Sequence, residues 1–207
     1  ANRKDTDQKD LFEGGFLGLD NISIIDRSSL HKLGDQIGRQ VELFQSDGTS
    51  WMGLFSLNLM EIALKLTQTG DSGYAAMANK FFQHYVFTAD AINSFDKKCA
   101  NEVQLWSEKD NFFYDILKLS GGGRPDSYLT IELRSLVGLL TLVPVTILDM
   151  SEMSLESKGL IEEKFNWFLN SNPELLKNVI STDENNPNRY LLSFVNKERL
   201  IAILQRL

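Results

Sequence analysis

The sequence predicts an all-α protein built mainly from helical hairpins. Two long segments, residues 49–66 and 74–95, carry apolar side chains on most sides at helical spacing, and a short turn joins them. No run of residues alternates convincingly between apolar and polar types, as a half-buried strand would. The chain has 207 residues, of which 43% are hydrophobic and 24% are charged, and this is the composition of one globular domain.

The first part of the chain is expected to be a polar tail followed by a loop. Residues 1–10 are almost wholly polar and are expected to be disordered, so residues 11–207 are expected to form the domain. Gly14, Gly15 and Gly18 then stand among large apolar side chains. This pattern predicts a close-packed, turn-rich loop rather than a helix.

The two long helices have candidate caps at their starts. Asp47 or Ser50 can cap the first helix, and Asp71 or Ser72 can cap the second. Because the connection between the two helices is short, they are expected to pack as an antiparallel hairpin.

The middle of the chain is predicted to be less regular. Residues 105–119 place aromatic side chains around a charged turn, as a loop or a short hairpin does. Residues 121–125 are rich in glycine and should have no regular structure. Residues 135–148 are predicted to form a third buried helix that is kinked at Pro144.

Three more helical segments are predicted near the C-terminus. Ser154 can cap a fourth helix over residues 155–169, and Pro173 can begin a short fifth helix. Residues 182–189 are predicted to form a polar loop, and Asn196 can cap a last helix. Long loops of this kind are unusual enough to suggest a function.

Charge and cysteine content limit the partners and the compartment. With 28 acidic against 21 basic residues, the formal charge of −7 argues against a nucleic-acid partner. The longest apolar run, residues 136–148, is too short to cross a bilayer, so no membrane partner is expected. Cys99 is the only cysteine and cannot form an internal disulfide, which favours a reducing, cytoplasmic location. No zinc spacing is present, and neither a metal nor a cofactor is expected.

Both ends of the chain suggest a fragment. The sequence begins at Ala1 without methionine, and it ends inside an apolar run of helical spacing over residues 200–207. We therefore expect that these residues come from a longer protein.

Asp20 is the candidate catalytic residue. It follows Gly18 and lies between apolar residues, where partial desolvation would raise its pKa and let it act as a general acid near neutral pH. The alternative is structural, because Asp20 could cap a turn that begins at Asn21. Spacing alone leaves both interpretations open.

The residues around Asp20 resemble a known family. The run Gly18-Leu19-Asp20-Asn21 resembles the Ser-Gly-Leu-Asp-(Asn/Asp) signature of glycoside hydrolase family 63, whose members include processing α-glucosidases and bacterial relatives. Leu17 stands where the family has serine, and Ser23-Ile24 stands where the glucosidases have proline and arginine. These departures leave the choice of substrate open.

The resemblance covers most of the chain from Leu11 onward. It is to a subgroup of large family 63-like proteins, and the matching segments occur in the same order along the chain. They are residues 12–28, 45–52, 81–91, 133–139 and 165–178.

This resemblance implies a fold and a chemistry. The fold would be part of an (α/α)6 barrel, or six-hairpin toroid, and the predicted helices are about half of what such a barrel needs. The activity would be inverting hydrolysis of α-linked glucosides or mannosides, with Asp20 as the general acid and no metal. A second carboxylate would activate water roughly 6.5–9.5 Å away from the acid.

The general base of the family is not found in this chain. In the family it follows a tryptophan-rich stretch that does not occur before Leu207, although Glu13 or Asp47 could replace it in principle. Glu13 is more easily understood as binding a sugar hydroxyl or holding the loop. The rest of the barrel would come from the same polypeptide or from a self-association partner.

Several other residues are candidates for contact with a carbohydrate substrate. Trp51 and Asp47 could form an aromatic floor and a hydroxyl clamp. Trp106, Tyr114 and Asp115 resemble an aromatic-acid loop of the same subgroup. The complete set of candidate substrate-binding residues is Phe12, Glu13, Phe16, Asn21, Asp47, Trp51, Trp106, Tyr114, Asp115 and Arg134.

Structural roles compete with these assignments. Trp51 could pack in the core, and Trp106 and Tyr114 could plug the space under a surface loop. Arg134 lies between apolar neighbours and should pair with a carboxylate, which favours a structural ion pair over substrate contact.

Two other functions remain open. One is a non-catalytic carbohydrate-binding module or degenerate barrel, and the missing base favours it over a complete enzyme. The other is an α-helical scaffold for protein partners. Repeat scaffolds show self-similarity at a fixed period, and this sequence has none.

Overall fold

The structure is a computed structural model, and it describes residues 12–13, 25–69, 71, 73–93, 104–151, 153–176, 180–183 and 186–207. The α-helices of this part of the chain are α1 (Leu30–Ile37), α2 (Ser46–Thr67), α3 (Gly73–Asn93), α4 (Leu136–Leu139), α5 (Leu155–Ser171) and α6 (Lys197–Leu204). The strands are β1 (Phe12–Glu13), β2 (Gln40–Gln45), β3 (Trp106–Ser107), β4 (Phe112–Phe113), β5 (Asp115–Ser120), β6 (Ser127–Ile131), β7 (Val145–Asp149), β8 (Ile180–Asp183) and β9 (Asn186–Ser193).

The fold is mixed α/β, so the prediction of an all-α class is wrong, and so is the partial (α/α)6 barrel. The described residues contain three antiparallel sheets, with strand orders β1-β2-β5-β6, β3-β4 and β7-β9-β8. Strand β2 shows why the sequence lacks an alternating pattern of apolar and polar residues. Its neighbours Leu43 and Phe44 point to opposite faces and are both fully buried, because both faces of the sheet are covered there.

The predicted third helix is also wrong over most of its length. Residues 135–148 form only the short helix α4 and one 3-10 turn, Leu140–Leu142, before the chain continues as β7. Pro144 ends the helical region instead of kinking it, because proline has no N–H with which to continue the helical hydrogen bonds. The three residues after Pro144 are β-branched and favour the strand.

The predicted polar loop over residues 182–189 is replaced by two strands, β8 and β9. Strand β9 pairs with β7 on one side and β8 on the other. Arg189 is held opposite Asp149 of β7, with the guanidinium 3.9 Å from the carboxylate. Polar residues of β9 are therefore accommodated in a strand partly because β7, which is distant in the sequence, supplies partners that a local pattern does not reveal.

Other predicted elements are confirmed. The long helices α2 and α3 lie where the apolar spacing placed them and pack against each other. Helix α5 and the last helix, α6, are also confirmed. Residues 106–113 form the short hairpin β3–β4, whereas residues 115–119 of the same predicted loop or hairpin lie in β5 of the four-stranded sheet. Pro173 begins a single 3-10 turn, Pro173–Leu176, where a short helix was predicted.

The helix caps are partly as predicted. Ser154 Oγ accepts from Ser157 N at the start of α5, and Asn196 Oδ1 accepts from Arg199 N at the start of α6. The predicted caps of α2 are wrong. Gln45 is the N-cap residue and makes no side-chain cap bond, while Asp47 and Ser50 lie inside the helix.

Asp71 lies just before α3, and its Oδ1 atom accepts from Gly73 N at 2.8 Å. The alternative cap for this helix, Ser72, lies outside the described residues.

The hydrophobic core joins the α2–α3 hairpin to the C-terminal part of the chain. Phe82 of α3 stacks on Phe165 of α5, with ring centroids 4.1 Å apart. Tyr85 stacks on Phe194, which follows β9. A Cβ atom at Gly53 would overlap the Phe194 ring, so glycine is needed there for α2 to approach it.

Candidate functional site

A buried arginine lies between two buried carboxylates at the centre of the candidate site. Arg27 Nη1 donates to Asp47 Oδ2 at 2.6 Å, and Arg27 Nη2 donates to Asp115 Oδ2 at 2.5 Å. The exposed fractions of Arg27, Asp47 and Asp115 are 2%, 0% and 5%. We call these three residues the polar centre. Their close pairing is what permits such burial, because an unpaired buried charge is costly.

Local structure places each member of the polar centre. Arg27 begins the 3-10 turn Arg27–Ser29, which Asp26 caps by accepting from Ser28 N at 3.0 Å. Asp47 lies in the first turn of α2, where the helix dipole favours a negative charge. Asp115 is the first residue of β5. The centre therefore ties a turn, a helix start and a strand start together.

The second oxygen of Asp115 binds the start of α2. Asp115 Oδ1 accepts from Ser46 N and Ser46 Oγ, each at 2.8 Å. Burial raises the pKa of Asp115 above its ordinary value, and the neighbouring Arg27 opposes that rise. Burial alone would lower the pKa of Arg27, but the two carboxylates raise it above the ordinary value.

A small cleft of about 10 Å³, with room for about one water molecule, lies beside the polar centre. Asp115 and Tyr114 line one side of it, and residues of the β6–α4 region, including Ser135 and Gly138, line the other. A Cβ atom at Gly138 would overlap the backbone of Phe113, which lies in β4. The close approach of α4 to the β3–β4 hairpin therefore requires glycine at this position. Among the three residues of the polar centre, Asp115 is the one that borders this cleft.

An ion pair joins Arg134 to the loop between β3 and β4. Arg134 Nη2 lies 3.4 Å from Asp110 Oδ1, which confirms the prediction that Arg134 pairs with a carboxylate. Arg134 Nε donates to the Tyr114 hydroxyl at 3.4 Å, and that hydroxyl donates to Asp110 Oδ2. The pKa of Arg134 is raised, chiefly by its hydrogen bond to Tyr114.

The two candidate tryptophans lie in different surroundings. Trp51 is partly exposed and lies one helical turn after Asp47, on α2. Trp106 is 4% exposed, packs edge-on against Phe113, and has the Arg199 guanidinium 4.8 Å above its ring. Trp106 of β3 therefore packs in the hydrophobic core.

The central prediction, Asp20, lies outside the described residues, as do Phe16 and Asn21. For Phe12 and Glu13 the structure describes the backbone. Strand β1 pairs with β2 so that Phe12 is opposite Gln45 and Glu13 is opposite Phe44. The described backbone on the N-terminal side of Asp20 therefore lies beside the start of α2.

Sequence reasoning missed Arg27 and Ser46 as members of the site. Arg27 is 20 residues from Asp47 and 88 from Asp115, and no short motif spans such separations. The signal that could have helped is the run Asp26-Arg27-Ser28, which lies inside the segment that carries the family resemblance.

The polar centre can hold three buried charged groups together and fix the backbone segments that carry them. It is poorly suited to proton transfer at Asp47. Both oxygens of Asp47 are engaged, Oδ2 with Arg27 and Oδ1 with Gly48 N at 2.7 Å. Asp47 thus has the chemistry of a positioning residue rather than of a general base.

In the part of the chain that the structure describes, no group of three His, Cys, Asp or Glu side chains is placed to hold a metal ion. No helix among the same residues combines the length and the apolar character needed to cross a membrane.

The chain is similar to a longer yeast protein. It is 38% identical over 218 residues to the uncharacterized protein YMR196W of Saccharomyces cerevisiae (strain ATCC 204508 / S288c). That alignment covers 100% of this chain and 19% of the yeast protein, so the chain spans about a fifth of that relative's length. No protein-family profile and no solved structure matches the chain.

Proposed function

We propose that this chain is part of an inverting glycoside hydrolase that acts on α-linked glucosides or mannosides. Asp20 would protonate the glycosidic oxygen, and residues outside this chain would supply the general base.

The proposal rests on contacts between separate segments that resemble glycoside hydrolase family 63. Arg27 comes from residues 12–28, and its partner Asp47 comes from residues 45–52. Asp115, the other partner, belongs to the aromatic-acid loop. The cleft beside Asp115 is lined in part by residues 133–139. Segments matched separately by sequence therefore share one location, as parts of a single active site would.

Asp20 is flanked in the sequence by described residues that lie near the start of α2, and this supports its role as the acid. It is seven residues from Glu13 and seven from Arg27. Glu13 is paired with Phe44 near the start of α2, and Arg27 is bound to Asp47 of that helix. The chain on both sides of Asp20 is therefore fixed beside the same helix start. Fixed ends favour catalysis because a general acid must be held within reach of the oxygen that it protonates.

The polar centre would act on this site indirectly. Arg27 binds both Asp47 and Asp115, and Ser46 binds the remaining oxygen of Asp115. Such a rigid set of contacts can hold the ends of a catalytic loop in place. Because Asp47 is engaged with Arg27, we place the general base outside this chain, and water activation would require that additional residue.

An external nucleophile tests the proposal on the chain as it stands. Azide attacks without help from a base, so it can replace activated water at C1. The C1–N bond would form on the face opposite the leaving group, the C1–O bond would break, and the Asp20 proton would pass to the departing oxygen. We expect proton NMR of the chain with an α-linked glucose or mannose disaccharide to show a β-glycosyl azide only when azide is added.

Two variants make this test specific. Asp20→Asn should reduce azide-dependent turnover by about 100-fold or more, because it removes the proton donor. Asp35→Asn is the matched control, since Asp35 is exposed on α1, and it should retain the parent rate. An α-glycosyl azide, an unchanged rate in Asp20→Asn, or line broadening of the disaccharide without product would each contradict the proposal. The last result would instead identify a non-catalytic carbohydrate-binding module.

A further inference from the structure

Arg199 of α6 connects that helix to α3 and to the β3–β4 hairpin. Its Nη1 atom donates to Asn93 Oδ1 at 2.5 Å, and Asn93 is the last residue of α3. The amide nitrogen of Asn93 donates in turn to the carbonyl oxygen of Phe194 at 2.8 Å. The side chain of Arg199 is only 18% exposed. Its guanidinium is therefore held in a defined place between the end of α3 and α6.

The guanidinium of Arg199 lies over aromatic rings of the β3–β4 hairpin. Its Cζ atom is 4.8 Å from the centre of the Trp106 ring and 5.9 Å from the centre of the Phe113 ring. Trp106 and Phe113 are paired across the hairpin, and their ring centres are 5.0 Å apart. Aromatic rings attract a cation in this position, and the attraction is stronger where water is excluded. Arg199 therefore contacts both strands of the hairpin.

The carboxylate of Glu108 is a weaker partner of Arg199. Glu108 Oε1 lies 3.7 Å from Arg199 Nη2, and the Glu108 side chain is 78% exposed. An exposed ion pair contributes little, because water screens the two charges. Burial lowers the pKa of Arg199, and the charge of Glu108 opposes that decrease. The contacts of Arg199 with the two rings and with Asn93 are therefore the ones expected to hold the hairpin.

The β3–β4 hairpin leads directly into the polar centre. Phe113 ends β4, and Asp115 begins β5 two residues later. Tyr114, which lies between them, donates its backbone N–H to the carbonyl oxygen of Leu105 at 2.8 Å. Phe113 and Asp115 also line the same cleft. Because only one residue separates them, a displacement of Phe113 would move the backbone that carries Asp115.

We infer that Arg199 is a positioning residue of the candidate site. By holding the β3–β4 hairpin, it keeps Asp115 where one carboxylate oxygen binds Arg27 and the other binds Ser46. Supporting residues of this kind fix the geometry of a site that they do not themselves line. The effect of Arg199 on the polar centre does not depend on the proposed glycosidase activity, whereas any effect on turnover rests on that proposal.

Amide hydrogen exchange at Ser46 tests the inference, because Asp115 Oδ1 accepts from Ser46 N at 2.8 Å. Arg199→Met should accelerate this exchange about tenfold more than exchange at Phe82, which is buried in the middle of α3. Arg199→Lys keeps a cation and should restore part of the protection at Ser46. Arg206→Met is the matched control, since Arg206 is exposed just after α6, and it should leave both exchange rates unchanged.

Three results would overturn this role of Arg199. Unchanged exchange at Ser46 in Arg199→Met would mean that Arg199 does not position the polar centre. Equal acceleration at Ser46 and Phe82 would mean that Arg199 contributes only to global stability. No recovery in Arg199→Lys would mean that a cation over the rings is not what holds the hairpin. The exchange measurement needs no turnover, so a parent chain that forms no glycosyl azide would contradict the proposed activity alone.

Discussion

The Nη2 atom of Arg27 lies 2.5 Å from Oδ2 of Asp115, although 88 residues separate them. The same guanidinium binds Asp47 at the start of α2. The buried side chain of Arg27 therefore connects the 3-10 turn Arg27–Ser29, helix α2 and strand β5 of the four-stranded sheet. Removing it should affect the stability of the whole fold as well as the geometry of the candidate site.

Replacing Arg27 with methionine should destabilise the protein strongly. Arg27→Met leaves two buried carboxylates without their cation, and we expect a loss of about 3–5 kcal/mol in the free energy of unfolding. Chemical denaturation measures this loss. Arg189→Met is the control, because Arg189 is 46% exposed and pairs with Asp149 at 3.9 Å, so its loss should cost less than about 1 kcal/mol. Similar losses in the two variants would contradict the assigned role of Arg27.

Asp115 should give the protein a pH dependence of known sign. Burial raises its pKa in the folded state above the ordinary value of 3.8, so the folded protein binds the proton more tightly than the unfolded chain does. This stabilising contribution is fully present below pH 3.8 and is lost as the pH rises through the raised pKa. The stability advantage of the parent over Asp115→Asn should therefore decrease with rising pH.

Asp149 provides the control of opposite sign. Hydrogen bonds from Ser151 lower the pKa of Asp149 below 3.8 in the folded state. The contribution of Asp149 to the free energy of unfolding is therefore present above pH 3.8 and is lost as the pH falls through the lowered pKa. The advantage of the parent over Asp149→Asn should increase with rising pH. Denaturation curves at several pH values measure both trends, and parallel trends would contradict the assignment for Asp115.

Two helical glycines should respond in opposite ways to alanine. A Cβ atom at Gly53 would overlap the Phe194 ring, so Gly53→Ala should cost about 1–3 kcal/mol. Gly159 lies inside α5 with open space at its Cβ position, so Gly159→Ala should gain about 0.5–1 kcal/mol from helix propensity. Thermal denaturation distinguishes them, and stabilisation by Gly53→Ala would show that α2 does not approach Phe194 this closely.

The sequence was informative where an element is stabilised by local features. Helices α2 and α3 have long apolar patterns, and α5 and α6 begin at residues whose side chains cap them. Strands β2 and β7 were missed because their partners are distant in the sequence. Strand β2 pairs with β5 far along the chain, and its adjacent residues Leu43 and Phe44 are both fully buried. A strand covered on both faces gives no alternating pattern.

The candidate site was predictable only in part. Asp47, Tyr114 and Asp115 were selected from the sequence, and the structure brings Asp47 and Asp115 onto Arg27. Arg27 itself could not be found by spacing, because its partners lie on separate elements. The hydrogen bonds of a carboxylate also depend on tertiary structure, which the sequence does not show. At Asp47 these bonds indicate a positioning residue rather than a catalytic one.

A double-mutant cycle between Arg27 and Asp115 tests the central structural claim most directly. The free energies of unfolding of the parent, Arg27→Met, Asp115→Asn and the double variant would be measured under one condition. A direct contact in the buried centre predicts a coupling energy of about 2–3 kcal/mol. Additive effects, within about 0.5 kcal/mol, would mean that the two residues do not interact and would contradict the polar centre described above.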